Sequence, residues 1–391
     1  MPQILFWHDA GVILLTGGLN TMHKFLAELT SDPQGGALRS VRFLGDGDNI
    51  DVGVLVNDEA LRAYPVIDGV PVMFPNAYDQ TFADQYGTQI SKDENLAKVK
   101  PAPPQQERWA FDPQWVVHND ADANKTWGQT VPERISQFLQ EINTSKEELK
   151  GALVLDAGCG NGRLTEALSD LGCTVIGLDY SASVYAAESR RKSEAVHFIR
   201  GDLQQPPFAP GTFDRIICIG VLMCTPDTVK TFNAVASLVK PGGRFYAWVY
   251  RRPERFLGRH VKVPIYDFMR FVICRLPSRT QTAVVKAYAR MVRLSHNMRK
   301  GENPIPLHEY IVSAYDDMTP MWRRYHTPFE MSRWFHECGY SQQTMTHWDN
   351  PYGFGMVATK ILVEQVPGIH VGSGPKLWDN DRTLLGRLHA D

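Results

Sequence analysis

Residues 150 to 250 predict an α/β fold in which helices cover both faces of a doubly wound parallel sheet. Three observations carry this expectation. Strand-like and helix-like segments alternate: "ALVLDAG", "TVIGLD", "VHFIRGD", "FDRIICIGVLM" and "KPGGRFYAWVY" read as strands, with "GRLTEALSDLG", "SASVYAAESRRK" and "TPDTVKTFNAVASLV" as the helices between them. The first strand breaks into alternating glycines directly ahead of a helix. An aspartate also stands at or just beyond the end of each of the first three strands: Asp156, Asp179 and Asp202.

A glycine turn between strand and helix lets a ligand approach the backbone and the free N–H groups of the helix start. Gly158, Gly160 and Gly162 are spaced G-x-G-x-G, unlike the G-x-G-x-x-G of dinucleotide sites, and Asp156 precedes them by two residues. A carboxylate there repels a pyrophosphate and suits an ammonium group. Asp179 stands where an acid accepts ribose hydroxyls. Asp202 suits an adenine amino group, with Leu203 beside the ring. The expected ligand therefore has an amine, a ribose and an adenine in line.

The ordered stretches "VLDAGCGNGRL", "VIGLDYS", "GDLQQPPF", "FDRIICIGVL" and "LVKPGGRFYAWVY" resemble the class I S-adenosylmethionine-dependent methyltransferases. The resemblance covers residues 150 to 250 well and about 325 to 362 more loosely. It implies a Rossmann-like, doubly wound, seven-stranded sheet with S-adenosyl-L-methionine as cofactor. Asp156, Gly158, Cys159, Gly160, Asn161 and Gly162 would hold the methionine end. Asp179, Tyr180 and Ser181 would serve the ribose, Asp202 and Leu203 the adenine, and Ile219 and Gly220 would lie under the sulfonium. In this family "KTWGQTVPER" corresponds to a segment that closes over the cofactor, making Trp127, Thr130 and Arg134 candidates, with Arg134 gripping the methionine carboxylate. The other reading of that segment is a solvated helix start.

Between the fifth strand and the closing helix, a helical insertion is expected over 251–326. Residues 251–300 hold thirteen Lys or Arg against only Glu254 and Asp267. Three explanations stand: a lid facing a carboxylate- or phosphate-bearing substrate, a surface for RNA or an acidic membrane, or a solvated basic face. Arg251, Arg252, Arg255, Trp322 and Tyr325 are the substrate-side candidates. Methyl transfer is an in-line displacement, and a base is needed only where the acceptor has a proton to lose. Candidates are His308, Tyr315, Asp316, Asp317 and His326, together with Tyr250 at the end of the fifth strand. His326 also reads as a helix-entry residue, with Thr327 and Glu330 forming a capping box behind it. Trp109 and Trp115, with Trp322 and Tyr325, suit either a pocket wall or the core.

The chain has 391 residues, 43% hydrophobic and 21% charged, with a formal charge of −2 that disfavours a general nucleic-acid binder. No apolar run is long enough to span a bilayer, and "MPQILFWHDAGVILL" lacks a basic start, so a cytoplasmic protein is expected. Strand-like "GVILL", "DVGVLVN" and "PVIDGVPVMF", with a helix at "LNTMHKFLAELT", make 1–80 a small β-rich accessory domain. A linker is expected over 81–106, the catalytic domain over 107–365 and a tail over 366–391. "ALRAYPVIDGVPVMFP" resembles the zinc-ribbon activators of methyltransferases, but no cysteine precedes Cys159, so a four-thiolate zinc site is impossible there and no metal is expected. The function expected is methyl transfer to nitrogen or oxygen of a small anionic molecule. The alternatives are an RNA or protein methyltransferase and an inactive cofactor-binding regulatory module.

Overall fold

The computed structural model describes residues 21–103, 125–126, 129–255, 258–300 and 306–362. The "GVILL" strand, Trp109, Trp115, Trp127 and the 366–391 tail lie outside them, and for Thr130 only the backbone is described. Near the N-terminus, helix α1 (Lys24–Leu29) precedes an antiparallel sheet of β1 (Arg39–Leu44), β2 (Val52–Asn57), β3 (Arg62–Ile67) and β4 (Val70–Pro71), in that spatial order. Asp68 and Gly69 both take positive φ, 49° and 77°, which is the turn a tight hairpin needs. Asp32 is a buried polar hub of this unit, accepting hydrogen bonds from Asn57 Nδ2, Arg62 Nε, Tyr64 OH and Gln34 N–H, each at 2.8 Å.

The linker expected over 81–106 is corrected over its described part. Helix α2 (Gln80–Gln85) starts at Asp79, whose carboxylate accepts the Phe82 N–H at 2.9 Å. Tyr78, Phe82, Tyr86 and Ile90 recur every fourth residue and pack on Val52, Val54 and Val56 of β2. A polar composition hid a thin apolar stripe of helical period. Nor does the N-terminal unit stand apart. The Met73 N–H donates to Arg200 O at 2.7 Å, and Leu55, Tyr64 and Val66 share a core with Leu155, Ile176 and Ile199.

Helix α3 (Val131–Glu141) leads into the large sheet, followed by β5 (Leu153–Ala157), α4 (Arg163–Ser169), β6 (Thr174–Asp179), α5 (Ser183–Glu188) and β7 (Val196–Arg200). Then come β8 (Phe213–Ile219), α6 (Thr228–Ser237) and β9 (Val239–Tyr250). After an all-helical stretch of α7 (Val263–Ile273), α8 (Ser278–Lys300) and α9 (Leu307–Met318), α10 (Pro328–Glu337) returns the chain to β10 (Tyr340–Thr346) and β11 (Gly353–Lys360). The seven strands lie in the order β7-β6-β5-β8-β9-β11-β10, with β11 antiparallel to both neighbours. The order reverses between β5 and β8, and ligands of open α/β sheets bind outside the strand ends at such a point. The helical stretch has its own small core, in which Ile273, Val285, Ala289, Tyr315 and Met318 meet.

Candidate active site

A cavity of about 740 Å³ opens over the C-terminal ends of β5, β6, β8 and β9. That is room for a drug-sized ligand. The glycine turn forms its floor. Gly158 has φ +89° and any Cβ there would fall inside the Val221 side chain; Gly162 has φ +72° and a Cβ would strike Phe198. Only glycine keeps this backbone open at both points. Asp156 lines the cavity and is deeply buried, so burial raises its carboxyl to about 7, against the Thr165 hydroxyl that donates to it at 2.7 Å. Asp179 accepts the Gly160 N–H at 2.8 Å on one oxygen, and the Ser181 N–H and hydroxyl at 2.8 and 2.7 Å on the other.

The structure brings Arg134, Asp156, Gly158, Cys159 and Asn161 to one cavity wall, and Asp179, Tyr180, Asp202, Leu203, Ile219 and Gly220 to the rest of it. Gly160, Gly162 and Ser181 stand behind this surface and fix its shape through the contacts just given. Asn161 Nδ2 is buried with no hydrogen-bond partner among the described residues. An orphaned donor beside a buried acid at a glycine cradle fits a zwitterionic ligand end such as that of methionine.

The methyltransferase domain family matches residues 155–247, the stretch that builds this floor. The chain carries a class I methyltransferase domain. S-Adenosylmethionine is the cofactor of that domain. Two similar curated proteins are ubiquinone biosynthesis O-methyltransferases. The one from Xanthomonas euvesicatoria pv. vesicatoria (strain 85-10) is 31% identical over 143 residues, covering 34% of this chain and 60% of that protein. The one from Pseudomonas aeruginosa (strain LESB58) is 32% identical over 156 residues, covering 36% and 65%. The chain thus spans less than two thirds of the length of these relatives. Among solved structures, magnesium protoporphyrin IX methyltransferase from Synechocystis PCC 6803 is 17% identical with a TM-score of 0.34, covering 72% of this chain and 100% of that one. A Haloferax volcanii complex of the Trm112 methyltransferase activator with a methyltransferase is 15% identical with a TM-score of 0.39, covering 66% and 100%.

The residues expected on the acceptor side separate. Tyr250, Asp316 and Trp322 line the cavity. The Tyr250 hydroxyl donates to Asp316 Oδ2 at 2.5 Å, and burial holds that phenol well above its usual range. The Arg323 guanidinium sits 4.0 Å from the centre of the Tyr250 ring and 3.0 Å from Asp317 Oδ1, so Asp317 is engaged beside the wall. Tyr325 packs 6.2 Å from the Tyr250 ring, behind it. Tyr315 lies in the helical core and donates to Thr282, while His308 is in the first turn of α9; neither lines the cavity.

His326 is also not brought to the cavity. Its backbone pairs with Tyr250 and Arg252, its ring packs edge-on against Trp334, and burial depresses it to about 4. Next to it, Thr327 and Glu330 form the expected capping box. Arg251 donates to the carbonyls of Asn350 and Trp348, and Arg252 to Glu330 at 2.7 Å. Arg255 is exposed, and none of the three arginines lines the cavity. Long side chains so placed tie loops together, and none of these three cations faces the cavity.

Sequence reasoning missed Glu141, Tyr246, Trp248 and His347, which all line the cavity. His347 Nε2 meets Glu141 Oε1 at 2.8 Å, and Arg134 reaches both Glu141 oxygens at 3.2 Å. Tyr246 and Trp248 were legible only as alternate residues of a strand. Among the described residues, no group of three or more His, Cys, Asp or Glu is arranged to hold a metal ion, and no helix is long and apolar enough to cross a membrane.

Proposed function

We propose that this chain is an S-adenosylmethionine-dependent O-methyltransferase acting on a small hydroxylated molecule that also bears an anionic group. The observation that carries the reading is the Tyr250–Asp316 pair, a carboxylate held at 2.5 Å by a phenol on the wall of the cavity that the cofactor residues share. A neutral amine can be methylated before it loses a proton, whereas a hydroxyl needs a base as it attacks, so a positioned carboxylate favours oxygen. The curated relatives carry the name O-methyltransferase, which supports the same atom.

When bound, the cofactor supplies a methyl group on a positively charged sulfur. The chain's own residues do the rest. Asp156 pairs with the ligand's ammonium group and Asp179 accepts from its ribose. Tyr246, Trp248, Tyr250 and Trp322 give the cavity an aromatic wall that holds a flat acceptor and keeps water out. Asp316 takes the hydroxyl proton, and Tyr250, kept neutral by burial, fixes the orientation of that carboxylate. A second cavity of about 410 Å³ shares Trp322 with the first and is lined by Arg270, Arg275, Arg323 and Arg324 against one acid, Asp267, an excess of cations that suits the acceptor's anionic group.

The test is transfer of labelled methyl from S-adenosylmethionine to a panel of hydroxylated aromatic acids, their neutral analogues and the matching amines. Methyl ethers of the acids are the expected products. Asp316→Asn is expected to lower kcat about 10²- to 10³-fold with cofactor affinity unchanged. Equal transfer to amines, or full activity in Asp316→Asn, overturns the reading.

A further inference from the structure

Helix α7 turns most of its apolar residues to solvent. Ile265 is 54% exposed, Phe268 69% and Phe271 57%, with Val272 close behind and Val261 exposed in the turn just before the helix. These positions step by three and four residues, so they form one stripe, while Arg270 and Ile273 face inward. Single exposed apolar residues are ordinary, but a continuous stripe along a helix is an interaction surface. The next helix repeats the pattern, with Met291, Leu294 and Met298 all more than half exposed.

Charge selects the occupant. Lys262 and Arg275 are exposed at the two ends of the stripe, Arg275 lying 3.7 Å from the Phe271 ring, and its single acid, Asp267, is tied to Arg270. Apolar anchors bordered by cations match the boundary of an anionic bilayer, where rings enter the acyl region and ammonium and guanidinium groups meet lipid phosphates. RNA would engage the cations and leave Ile265 and Val261 without a use. A second copy would bring two basic faces together. We propose that α7 seats this protein on the surface of an anionic lipid bilayer. Phe271 belongs both to the stripe and to the wall of the arginine-lined cavity, so the seated bilayer lies against that cavity. The proposal holds whatever the acceptor is.

The test uses the full chain in flotation with vesicles of phosphatidylcholine alone and of phosphatidylcholine mixed equally with phosphatidylglycerol. The protein is expected to float with the mixed vesicles, less with the neutral ones, and to be released by salt. Phe268→Asp with Phe271→Asp is expected to reduce partitioning about ten-fold or more, with the thermal unfolding midpoint retained because both rings are exposed. Ile265→Asp serves as an independent second variant. Absence of flotation with either vesicle, or undiminished flotation of both variants, overturns the proposal. So does binding of an RNA oligonucleotide, or a concentration-dependent dimer, that the double variant abolishes while vesicles are not bound.

Discussion

His347 Nε2 and Glu141 Oε1 stand 2.8 Å apart although 206 positions separate them in the chain. His347 takes φ +54°, a left-handed conformation that residues with a Cβ seldom adopt, and its ring thereby reaches α3 from the end of β10. Because Glu141 also receives Arg134, the residue that follows β10 helps to set the position of an arginine on the cavity wall. Glu141→Ala is expected to cost about 1–3 kcal/mol of stability in urea unfolding, since Arg134 and His347 lose their shared acceptor. His347→Ala, which leaves Arg134 paired, is expected to cost less. Equal effects would place the importance of the site in the histidine and remove the shared-acceptor explanation.

Asp156 predicts a pH dependence of cofactor binding. Its carboxyl, raised from 3.8 to about 7 by burial, must be ionised to pair with an ammonium group. Affinity for S-adenosylhomocysteine should be flat above pH 7 and fall about ten-fold per unit below it, with proton release on binding near neutrality. The same raised value means that the ligand-free protein loses stability as pH rises from the ordinary carboxylate range to about 7. Calorimetry in buffers of different ionisation heat measures the release, and Asp156→Asn should abolish it.

Asp32 predicts an acid-labile N-terminal unit. Burial alone would raise its carboxyl, but the hydrogen bonds from Gln34, Tyr64, Arg62 and Asn57 outweigh it and hold the group below the usual carboxylate range. A depressed folded value stabilises fully above the unfolded pKa and is lost as pH falls through the folded one. Asp32→Asn should therefore lower the melting temperature at pH 7 and narrow the gap to the parent protein in acid. A gap that stays constant with pH would show that the charge contributes nothing.

Phe74 lies 4.5 Å from the ring of Tyr180, which lines the 740 Å³ cavity, and Arg200 donates to the Tyr180 carbonyl at 3.1 Å while covering Phe74. The N-terminal unit thus supports the Tyr180 side of the cavity. Phe74→Ala should weaken cofactor binding by about 0.5–1.5 kcal/mol, measured by calorimetry on variants that keep the parent's unfolding profile.

The half of the cavity built on the glycine turn was legible because each of its parts is local: Asp156 and the glycines occupy one strand-to-helix turn, and Asp179 and Asp202 stand at or just beyond a strand end. The other half was not, because it is assembled across the fold. Nothing near Glu141 announces His347, and nothing near Tyr250 announces Asp316. The basic run from Arg251 misled for the same reason, since the partners of Arg251 and Arg252 lie about eighty to a hundred residues further on, at Asn350, Trp348 and Glu330. Around Phe82, polar neighbours hid a stripe that only the packing on Val54 reveals.

The hydrogen bond from Met73 to Arg200 has a further consequence for β7, the outermost strand of the large sheet. A bare parallel edge offers its free N–H and C=O groups to any extended chain nearby. Here the chain's own beginning occupies part of that edge, with Val72 bridging Arg200. A protein shortened to start after residue 105 would lose this cover, and its sheets would be free to recruit one another edge to edge.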